Sequence, residues 1–383
     1  MTTLVDLTVR PSDPTLDSLR AEVRAFLEEE RGSGRFTPRC DSWMSAPDPG
    51  FSRRLAEQGW VGMTIPARYG GHGRTALERF VVTEELLAAG APVAAHWIAD
   101  RQMAPSILRH GTEDQRDRYL PRIARGECFM SIGMSEPDSG SDLASVRTRA
   151  RPVEGGWEIT GTKVWTTGAH FAHAMILLAR TDPADGDRHA GLSQFLIELP
   201  HPRIEIRPII TIDGEHHLNE VVLDGAVVPS SALLGERGAG WRQVTAELAQ
   251  ERSGPERLMS TVPLAEAWVA AVHAAGTDPI ARREIGRITA TAWTLHQMSS
   301  AVAGAIQMGT VPTVEAALVK DLGSRFEQQV VQAARCTAPR ALIEDGAFAR
   351  LLNEGVLHSP VFTLRGGTNE ILRTVVARGL EAR

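Results

Sequence analysis

The chain is poor in cysteine and has no excess of basic residues. Its 383 residues include three cysteines, Cys40, Cys128 and Cys336, which lie far apart and form neither a Cys-x-x-Cys pair nor a Cys/His ligand spacing. A scattered, odd-numbered set predicts a reducing compartment and no structural metal. Asp and Glu (47) outnumber Lys and Arg (41), and the net charge of -6 gives no basic surface for a nucleic-acid backbone.

Targeting and membrane signals are also missing from the sequence. The N-terminal stretch MTTLVDLTVRPSDPT carries acids and an early proline where a signal peptide needs a basic patch and an apolar core. No stretch approaches the ~20 apolar residues that span a bilayer. We therefore expect a cytoplasmic protein with no membrane partner.

The hydrophobic fraction of 43% is enough for a full core, and the hydrophobic period changes twice along the chain. Residues 1–128 have a helical period, as in ALERFVVTEELLAAG, and predict an N-terminal helical domain. Residues 129–236 hold short stretches such as GWEITGTKVWTT between Gly and Pro, which predict an antiparallel β domain. Residues 237–383 return to the helical period and predict a bundle of four or five helices, so the fold class is α+β.

The most specific local stretch is SIGMSEPDSGSDLASVRTRA, which runs from Ser131 to Ala150. A loop so rich in Ser, Asp and Gly offers hydroxyls and free backbone amides that can bind an anion or the polar edge of a ring. A purely structural turn is the more common use of such a loop. Both interpretations stay open from composition alone.

Four stretches resemble signatures of the acyl-CoA dehydrogenase family. SEPDSGSD resembles its Thr/Ser-Glu-Pro-x-x-Gly-Ser-Asp signature, and GTKVWTTGAHFAH resembles the Gly-x-Lys-x-Trp-x-Thr strand that follows. LNEVVLDGAVVPSSALLGERGAGW resembles the crossover from the β domain to the bundle, and RGGTNEILRTVVAR resembles the C-terminal signature. The resemblance covers almost the whole chain in order. It implies an acyl-CoA dehydrogenase-like fold of three parts, helical, β and helical.

The resemblance implies an FAD enzyme that removes two hydrogens, anti to each other, from the α and β carbons of an acyl-CoA thioester. The product is a trans-2-enoyl-CoA, the β-hydride passes to flavin N5, and FAD lies in the family between the β domain and the bundle. Hydroxyls and amides suit the flavin edge, and an indole can cover it, although a lone Trp is more often a core residue. The residues assigned to the flavin edge are Met134, Ser135, Trp165, Thr166 and Thr167. Those assigned to FAD in the C-terminal loop are Thr368, Asn369 and Glu370, and Ser141 is assigned to the CoA arm.

The reaction also needs a carboxylate base, because the α-hydrogen of a thioester is only weakly acidic. Many family members carry it immediately before the Gly-Thr of the C-terminal loop, where this chain has Gly366. Long-chain and isovaleryl types instead carry it on the first helix of the bundle, directly before an arginine. That pattern assigns the base to Glu251, which precedes Arg252.

Helical spacing supports this assignment of the base. Val244, Leu248 and Glu251 fall at i, i+4 and i+7, which places the carboxylate on an apolar stripe where burial raises its pKa toward neutrality. The alternative is a purely structural role, in which this helix Glu forms an ion pair with a neighbouring Arg. The resemblance also implies that the Gly366 amide, with an FAD ribityl hydroxyl, clasps the thioester carbonyl. Arg252 and Gly367 are assigned to the substrate side.

Two family motifs that reach the FAD of a neighbouring subunit are missing. The Arg-x-x-Phe-Gly motif is replaced by DPIARREIGRITATAW, and the Gln-x-x-Gly-Gly-x-Gly stretch by ALIEDGAFARLLNEGVLHSPVF. These departures resemble actinobacterial members that act on sterol-derived or bulky acyl-CoAs, some of them built from two different subunits. We therefore expect a homo-oligomer, or a hetero-oligomer with a related subunit.

Three functions stay open at this level. The first is a dehydrogenase that passes electrons to an electron-transfer flavoprotein or a similar acceptor. The second is a non-catalytic or half-site subunit of a hetero-oligomeric dehydrogenase, and the third is an oxidase or monooxygenase of the same fold. The family's usual loop Tyr is Arg365 here, and the sequence leaves open whether Arg365 faces the ligand or solvent.

Overall fold

The computed structural model describes residues 13–184, 186–252, 254–276, 278–339, 342 and 344–381. For Ala249, Gln250 and Glu251 it describes the backbone only. The chain divides into two compact units. Unit 1 contains the described residues up to Ala46, the segment Arg74–Val93 and the described residues from Ala249 onward, and unit 2 contains Pro47–Gly73 and Ala94–Leu248.

The N-terminal helices begin at side-chain caps that the sequence makes visible. In α1 (Pro14–Gly32) the Asp13 carboxylate accepts from the Thr15 N–H at 3.0 Å, and one face, including Val23, is buried. α4 (Ala76–Ala88) begins with a capping box between Thr75 and Glu78. The other helices of this region are α2 (Ser42–Ser45), α3 (Pro49–Glu57), α5 (Ala94–Ile98), α6 (Ala104–His110) and α7 (Glu113–Ala124).

Unit 2 is built on one eight-stranded sheet with the strand order β6-β7-β3-β2-β4-β5-β8, and β1 also pairs with β4. The sheet is mostly antiparallel, as the sequence predicts, but both β1 and β2 run parallel to β4. β4 and β5 are buried almost throughout, which fits central strands that are covered on both faces. The strands are β1 (Met130–Gly133), β2 (Arg149–Val153), β3 (Gly156–Lys163), β4 (Ala174–Arg180), β5 (Leu192–Glu198), β6 (Ile204–Ile209), β7 (Leu218–Pro229) and β8 (Leu233–Leu234).

Among the described residues, six helices follow the sheet, where four or five are predicted: α8 (Gly240–Glu251), α9 (Val262–Ala274), α10 (Pro279–Gln307), α11 (Thr313–Thr337), α12 (Gly346–Phe362) and α13 (Asn369–Glu381). The additional helix, α12, contains Gly355 and Pro360, residues that disfavour a helix locally. Tertiary packing overrides that preference, because a Cβ on Gly355 would stand only 3.0 Å from the Leu264 side chain. Within the described ranges, no helix is both long and apolar enough to cross a membrane.

Candidate active site

Two loop segments of unit 2 carry the residues that the resemblance assigns to the flavin edge. Met134 and Ser135 follow β1, and Trp165–Thr167 follow β3. The Val164 N–H donates to the Ser135 carbonyl at 2.9 Å, so the two segments run side by side. The structure thus brings the five assigned residues together in one region, while Ser141, the residue assigned to the CoA arm, is exposed on the loop that follows.

Trp165 has an unusual backbone and an unusual exposure. Its φ is +60°, in the left-handed region that costs a non-glycine residue about 1–2 kcal/mol. Its side chain is 60% exposed, so it is not a core residue. The turn is held by Asn219, whose carbonyl accepts from the Thr166 N–H at 3.0 Å and whose Nδ2 donates to the Thr166 carbonyl at 2.9 Å. Strained residues held in this way concentrate at functional sites.

Lys163 and Glu136 form a buried ion pair beside these segments. Neither residue is among those that the sequence assigns to the site. The Lys163 Nζ donates to the Glu136 Oε1 at 2.9 Å and to the Met134 carbonyl at 3.0 Å, and the Lys163 side chain is fully buried. Glu136 also accepts from the Thr148 N–H at 2.9 Å, the Thr148 hydroxyl at 2.6 Å and the Arg147 N–H at 2.7 Å.

Several forces act on the ionisation of Glu136. Burial raises the pKa of Glu136, but the Lys163 charge and these donors outweigh burial and hold that pKa below its usual value. The pair is therefore ionised at neutral pH and ties the two segments to each other. The sequence signal for it is the Glu of SEPDSGSD and the Lys of GTKVWTT, which both lie inside the family signatures.

In unit 1, the C-terminal loop places two consecutive glycines in left-handed conformations. The φ angles are +67° at Gly366 and +89° at Gly367, which only glycine adopts without strain. Arg252 Nε donates to the Gly366 carbonyl at 2.9 Å, and Lys320 Nζ donates to the Gly367 carbonyl at 2.9 Å. No acceptor among the described residues takes the Gly366 N–H. The carbonyls of both glycines are therefore fixed, and the Gly366 N–H is available as a donor.

The space beside Gly366 is filled by a guanidinium group. A Cβ at Gly366 would stand 3.0 Å from Cζ of Arg257, which is almost fully buried and stacks over the Trp43 ring at 4.9 Å. At Gly367, a Cβ would stand 2.9 Å from Nη2 of Arg252. The backbone conformation thus favours glycine at both positions, and a Cβ at either would displace the end of an arginine side chain.

Of the three residues assigned to FAD, Thr368 directly precedes α13 and the other two begin it, and their surroundings differ. Asn369 is buried and its side chain is bonded within the unit: its Oδ1 accepts from Lys320 Nζ at 2.9 Å and from Ser324 Oγ at 3.1 Å, and its Nδ2 donates to the Asp321 carbonyl at 3.3 Å. Thr368 is half-buried and its hydroxyl accepts from Ile371 N at 3.4 Å, while Glu370 is exposed. Their role in binding FAD stays a prediction.

The assigned base, Glu251, is the last residue of α8, and its side chain lies outside the described part of the chain. The next residue, Arg252, is buried and reaches the Gly366 carbonyl, so the end of α8 is tied to the C-terminal loop. Val244 is fully buried and Leu248 packs on a small apolar cluster, as the predicted stripe requires.

Arg365 faces neither bulk solvent nor an open cavity. Its side chain is 7% exposed and forms ion pairs with Asp41 and with Glu327, the latter at 3.3 Å between Nη2 and Oε2. Burial acts to raise the pKa of Asp41, but the charges and hydrogen bonds of Arg365 and His358 together outweigh burial and bring that pKa to about 2. Burial also raises the pKa of Glu327, to about 7, although Arg365 opposes the shift. Of the two carboxylates that pair with Arg365, Asp41 therefore has a lowered pKa and Glu327 a raised one.

Comparison with known proteins decides the family. Models of the N-terminal, middle and C-terminal domains of acyl-CoA dehydrogenases match residues 13–127, 131–226 and 238–381. Acyl-CoA dehydrogenase IpdE1 of Mycobacterium tuberculosis is 32% identical, over 94% of this chain and 96% of that protein. The chain belongs to the acyl-CoA dehydrogenase family. Acyl-CoA dehydrogenase FadE34 of the same organism is 34% identical, but the match spans 85% of this chain and only 45% of that longer protein.

Solved acyl-CoA dehydrogenase structures share the fold along the whole chain. The Tcur3481-Tcur3483 steroid ACAD has a TM-score of 0.87 and 28% identity, covering 98% of this chain and 99% of that one. The ChsE4-ChsE5 complex from Mycobacterium tuberculosis has a TM-score of 0.82 and 26% identity, with 97% of both chains covered. Members of this family are FAD-dependent oxidoreductases, so the chain is an enzyme of that class.

The residues of this acyl-CoA dehydrogenase fit a flavin. The Thr166 hydroxyl is fully buried and has no hydrogen-bond partner among the described residues, which is costly unless a ligand provides one. Beside it, the exposed indole of Trp165 offers an apolar face. An unsatisfied hydroxyl next to an exposed aromatic ring suits a planar, polar-edged cofactor such as FAD.

Proposed function

We propose that this chain catalyses the α,β-dehydrogenation of an acyl-CoA thioester to a trans-2-enoyl-CoA. The single observation that carries the proposal is the Gly366–Gly367 loop, which presents an N–H donor without an acceptor next to the residue that follows Glu251. When bound, FAD supplies the acceptor for the β-hydride. Trp165 and Thr166 would lie against it, with Met134, Ser135 and Thr167, and Thr368, Asn369 and Glu370 would contribute from the C-terminal loop.

Glu251 takes the α-proton in this proposal. Two features of the loop support the assignment. A Cβ at position 366 would stand 3.0 Å from Cζ of the buried Arg257, so a carboxylate carried by the loop itself would meet a cation. Arg252 is bonded to the Gly366 carbonyl, so the preceding residue is also near the loop along the backbone. A positioned general base contributes about 10²–10⁴-fold to a rate.

The Gly366 N–H is the proposed donor to the thioester carbonyl oxygen. As the α-proton leaves, negative charge grows on that oxygen, and a fixed donor stabilises the charge more than it stabilises the neutral thioester. Arg252 and Lys320 hold the neighbouring carbonyls and keep the donor in place. Ser141 and Gly367 are proposed to contact the CoA arm and the substrate.

The base is tested by anaerobic stopped-flow mixing with substrate, in which the loss of flavin absorbance reports the chemical step. Glu251→Gln should slow this bleaching by about 10²–10⁴-fold. Glu256→Gln is a matched control, because Glu256 is a buried acid that also precedes an arginine, and it should keep a near wild-type rate. If Glu251→Gln bleaches normally while Glu256→Gln does not, the base has been assigned to the wrong glutamate.

We further propose a bulky, ring-bearing acyl group as the substrate class, with an electron-transfer flavoprotein or a similar protein as the acceptor. The similarity to a steroid ACAD supports the acyl class. A panel of acyl-CoAs from short linear to sterol-sized, assayed with a dye acceptor, tests it. A higher kcat/KM for linear chains than for sterol-sized ones would contradict the assignment.

A second candidate is a half-site subunit in a hetero-oligomer. Two structural relatives, Tcur3481-Tcur3483 and ChsE4-ChsE5, are named as pairs of different proteins, and that observation favours it. Purification of the chain alone separates the candidates. Stoichiometric FAD with substrate-dependent bleaching supports a self-sufficient enzyme, whereas a colourless protein that gains FAD only with a related subunit supports the half-site function.

A further inference from the structure

Arg365 stands directly before the proposed donor amide, and its side chain is the most heavily bonded group of the C-terminal loop. It forms an ion pair with Asp41, donates from Nη2 to the Ser260 hydroxyl at 2.8 Å, and lies 3.3 Å from Glu327. These partners come from the segment before α2, the segment before α9, and α11. One side chain of the loop is therefore attached to three separate parts of unit 1.

The guanidinium of Arg365 is also enclosed by rings. Its Cζ lies 4.6 Å from the centre of the Trp43 ring and 4.8 Å from that of Phe362. A planar, delocalised cation suits such stacking together with forked hydrogen bonds, which a lysine ammonium cannot reproduce. The geometry therefore requires arginine and not merely a positive charge.

The partners of Arg365 are themselves fixed. The Ser260 N–H donates to Glu327 Oε1 at 2.8 Å, and the Trp43 indole N–H donates to the Ser260 hydroxyl at 3.1 Å. The Asp41 N–H donates to the Ser260 carbonyl at 2.8 Å. A group anchored to such a closed network has little freedom, and neither has the peptide bond that joins it to Gly366.

We propose that the Asp41–Arg365–Glu327 network is a positioning device that orients the Arg365–Gly366 peptide so that the Gly366 N–H meets the thioester oxygen. This rests on the proposed function, in which that amide is the donor. The network does not touch the reacting atoms. The network holds the glycine-rich loop in one conformation before the substrate binds. Its effect is therefore largest in the step in which negative charge develops on the thioester oxygen.

The test compares Arg365→Lys with wild type and with a control variant, Arg287→Lys. Arg287 is a half-exposed arginine on α10, so the control makes the same replacement of a guanidinium by an ammonium group outside the network. Removal of one oxyanion donor costs about 10²–10³-fold in kcat, so partial misplacement by Arg365→Lys should slow flavin bleaching by about 10–100-fold. KM should change by less than about 3-fold, because the donor acts mainly in the transition state. Arg287→Lys should match wild type in both constants.

A second readout reports α-proton acidity without turnover. A 3-thia-acyl-CoA cannot complete the oxidation, and its deprotonation on the enzyme is followed by a long-wavelength absorbance band. In Arg365→Lys the apparent pKa of this deprotonation should rise, whereas a purely structural role for Arg365 would leave it unchanged. An unchanged pKa with a wild-type bleaching rate overturns the proposal.

The outcomes separate this inference from the proposed function. If wild type neither bleaches nor deprotonates the 3-thia ligand, the proposed function is wrong. If wild type does both and Arg365→Lys is equal to it, only the positioning role is wrong. If Arg365→Lys does not retain FAD, the rate of flavin bleaching in Glu327→Gln tests the positioning role instead. A rate at least threefold below wild type supports the network, and a wild-type rate refutes it.

Discussion

The buried Glu136–Lys163 pair makes a strong prediction, because one substitution leaves a charge without its partner. Lys163→Met removes the ammonium group and keeps most of the apolar stem, so the change isolates the ion pair. Glu136 then retains three donors from Thr148 and Arg147 but faces no cation. Breaking a buried pair costs about 3–5 kcal/mol, and the three remaining donors place the expected loss of unfolding free energy near 3 kcal/mol.

Denaturant unfolding monitored by tryptophan fluorescence measures this loss. The double variant Lys163→Met/Glu136→Gln removes both charges, and it should be more stable than the single variant by at least about 1 kcal/mol, because no unpaired charge stays buried. A single-variant loss below about 1 kcal/mol, or a double variant as unstable as the sum of two single variants, would refute the argument. Flavin content should fall in parallel, because Lys163 also holds the Met134 carbonyl.

The pH dependence of the single variant follows from the same geometry. Removal of Lys163 takes away the charge that most lowers the pKa of Glu136, so the folded-state pKa of Glu136 rises relative to wild type. The stability that wild type gains from ionised Glu136 is present at higher pH and is lost as the pH falls, so the difference between the two proteins narrows on acidification. The deficit of Lys163→Met relative to wild type should therefore be smaller near pH 5 than near pH 8, and a deficit that grows on acidification would contradict this account.

Three other predictions concern single residues. Since the pKa of Glu327 is raised from 4.5 to about 7, its contribution to stability is present below about pH 4.5 and lost as the pH rises through 7. The melting temperature of Glu327→Gln relative to wild type should accordingly increase from pH 5 to pH 8. Gly366→Ala should lower the unfolding free energy by about 1–2 kcal/mol in denaturant titrations, because its φ is +67° and Arg257 occupies the Cβ space. Trp165→Asn should leave stability unchanged or raise it by up to about 1 kcal/mol, because Asn tolerates the left-handed region, while FAD affinity measured by fluorescence titration falls.

Local signals predicted much of this fold. The Asp13 cap of α1 and the Thr75–Glu78 capping box of α4 act over three residues or fewer, so neighbouring residues encode each of these helix starts. Some strand ends of unit 2 likewise coincide with glycine, since β3 begins at Gly156 and β5 directly after Gly191. Short-range hydrogen bonding and period therefore explain the order of helices and sheet.

Long-range polar contacts could not be predicted in the same way. Arg365 and Asp41 are separated by 324 positions, and no local pattern marks a buried Asp at the start of a four-residue helix. Helix α12 was missed for a related reason: Gly355 and Pro360 argue against it locally, and packing against Leu264 favours it. These features depend on which segments meet, and composition and period carry no information on that point.

The glycine at position 366 follows from two constraints that act together. The loop turns through left-handed backbone, which penalises any side chain, and the buried Arg257 guanidinium takes the volume that a side chain would need. A carboxylate there would meet a cation and form an ion pair, and a carboxylate paired with arginine has a lowered pKa and is a weak base. A base for the α-proton is better placed outside this contact. The end of α8 is tied to the same loop through Arg252, and Glu251, the base that we propose, is the residue directly before it.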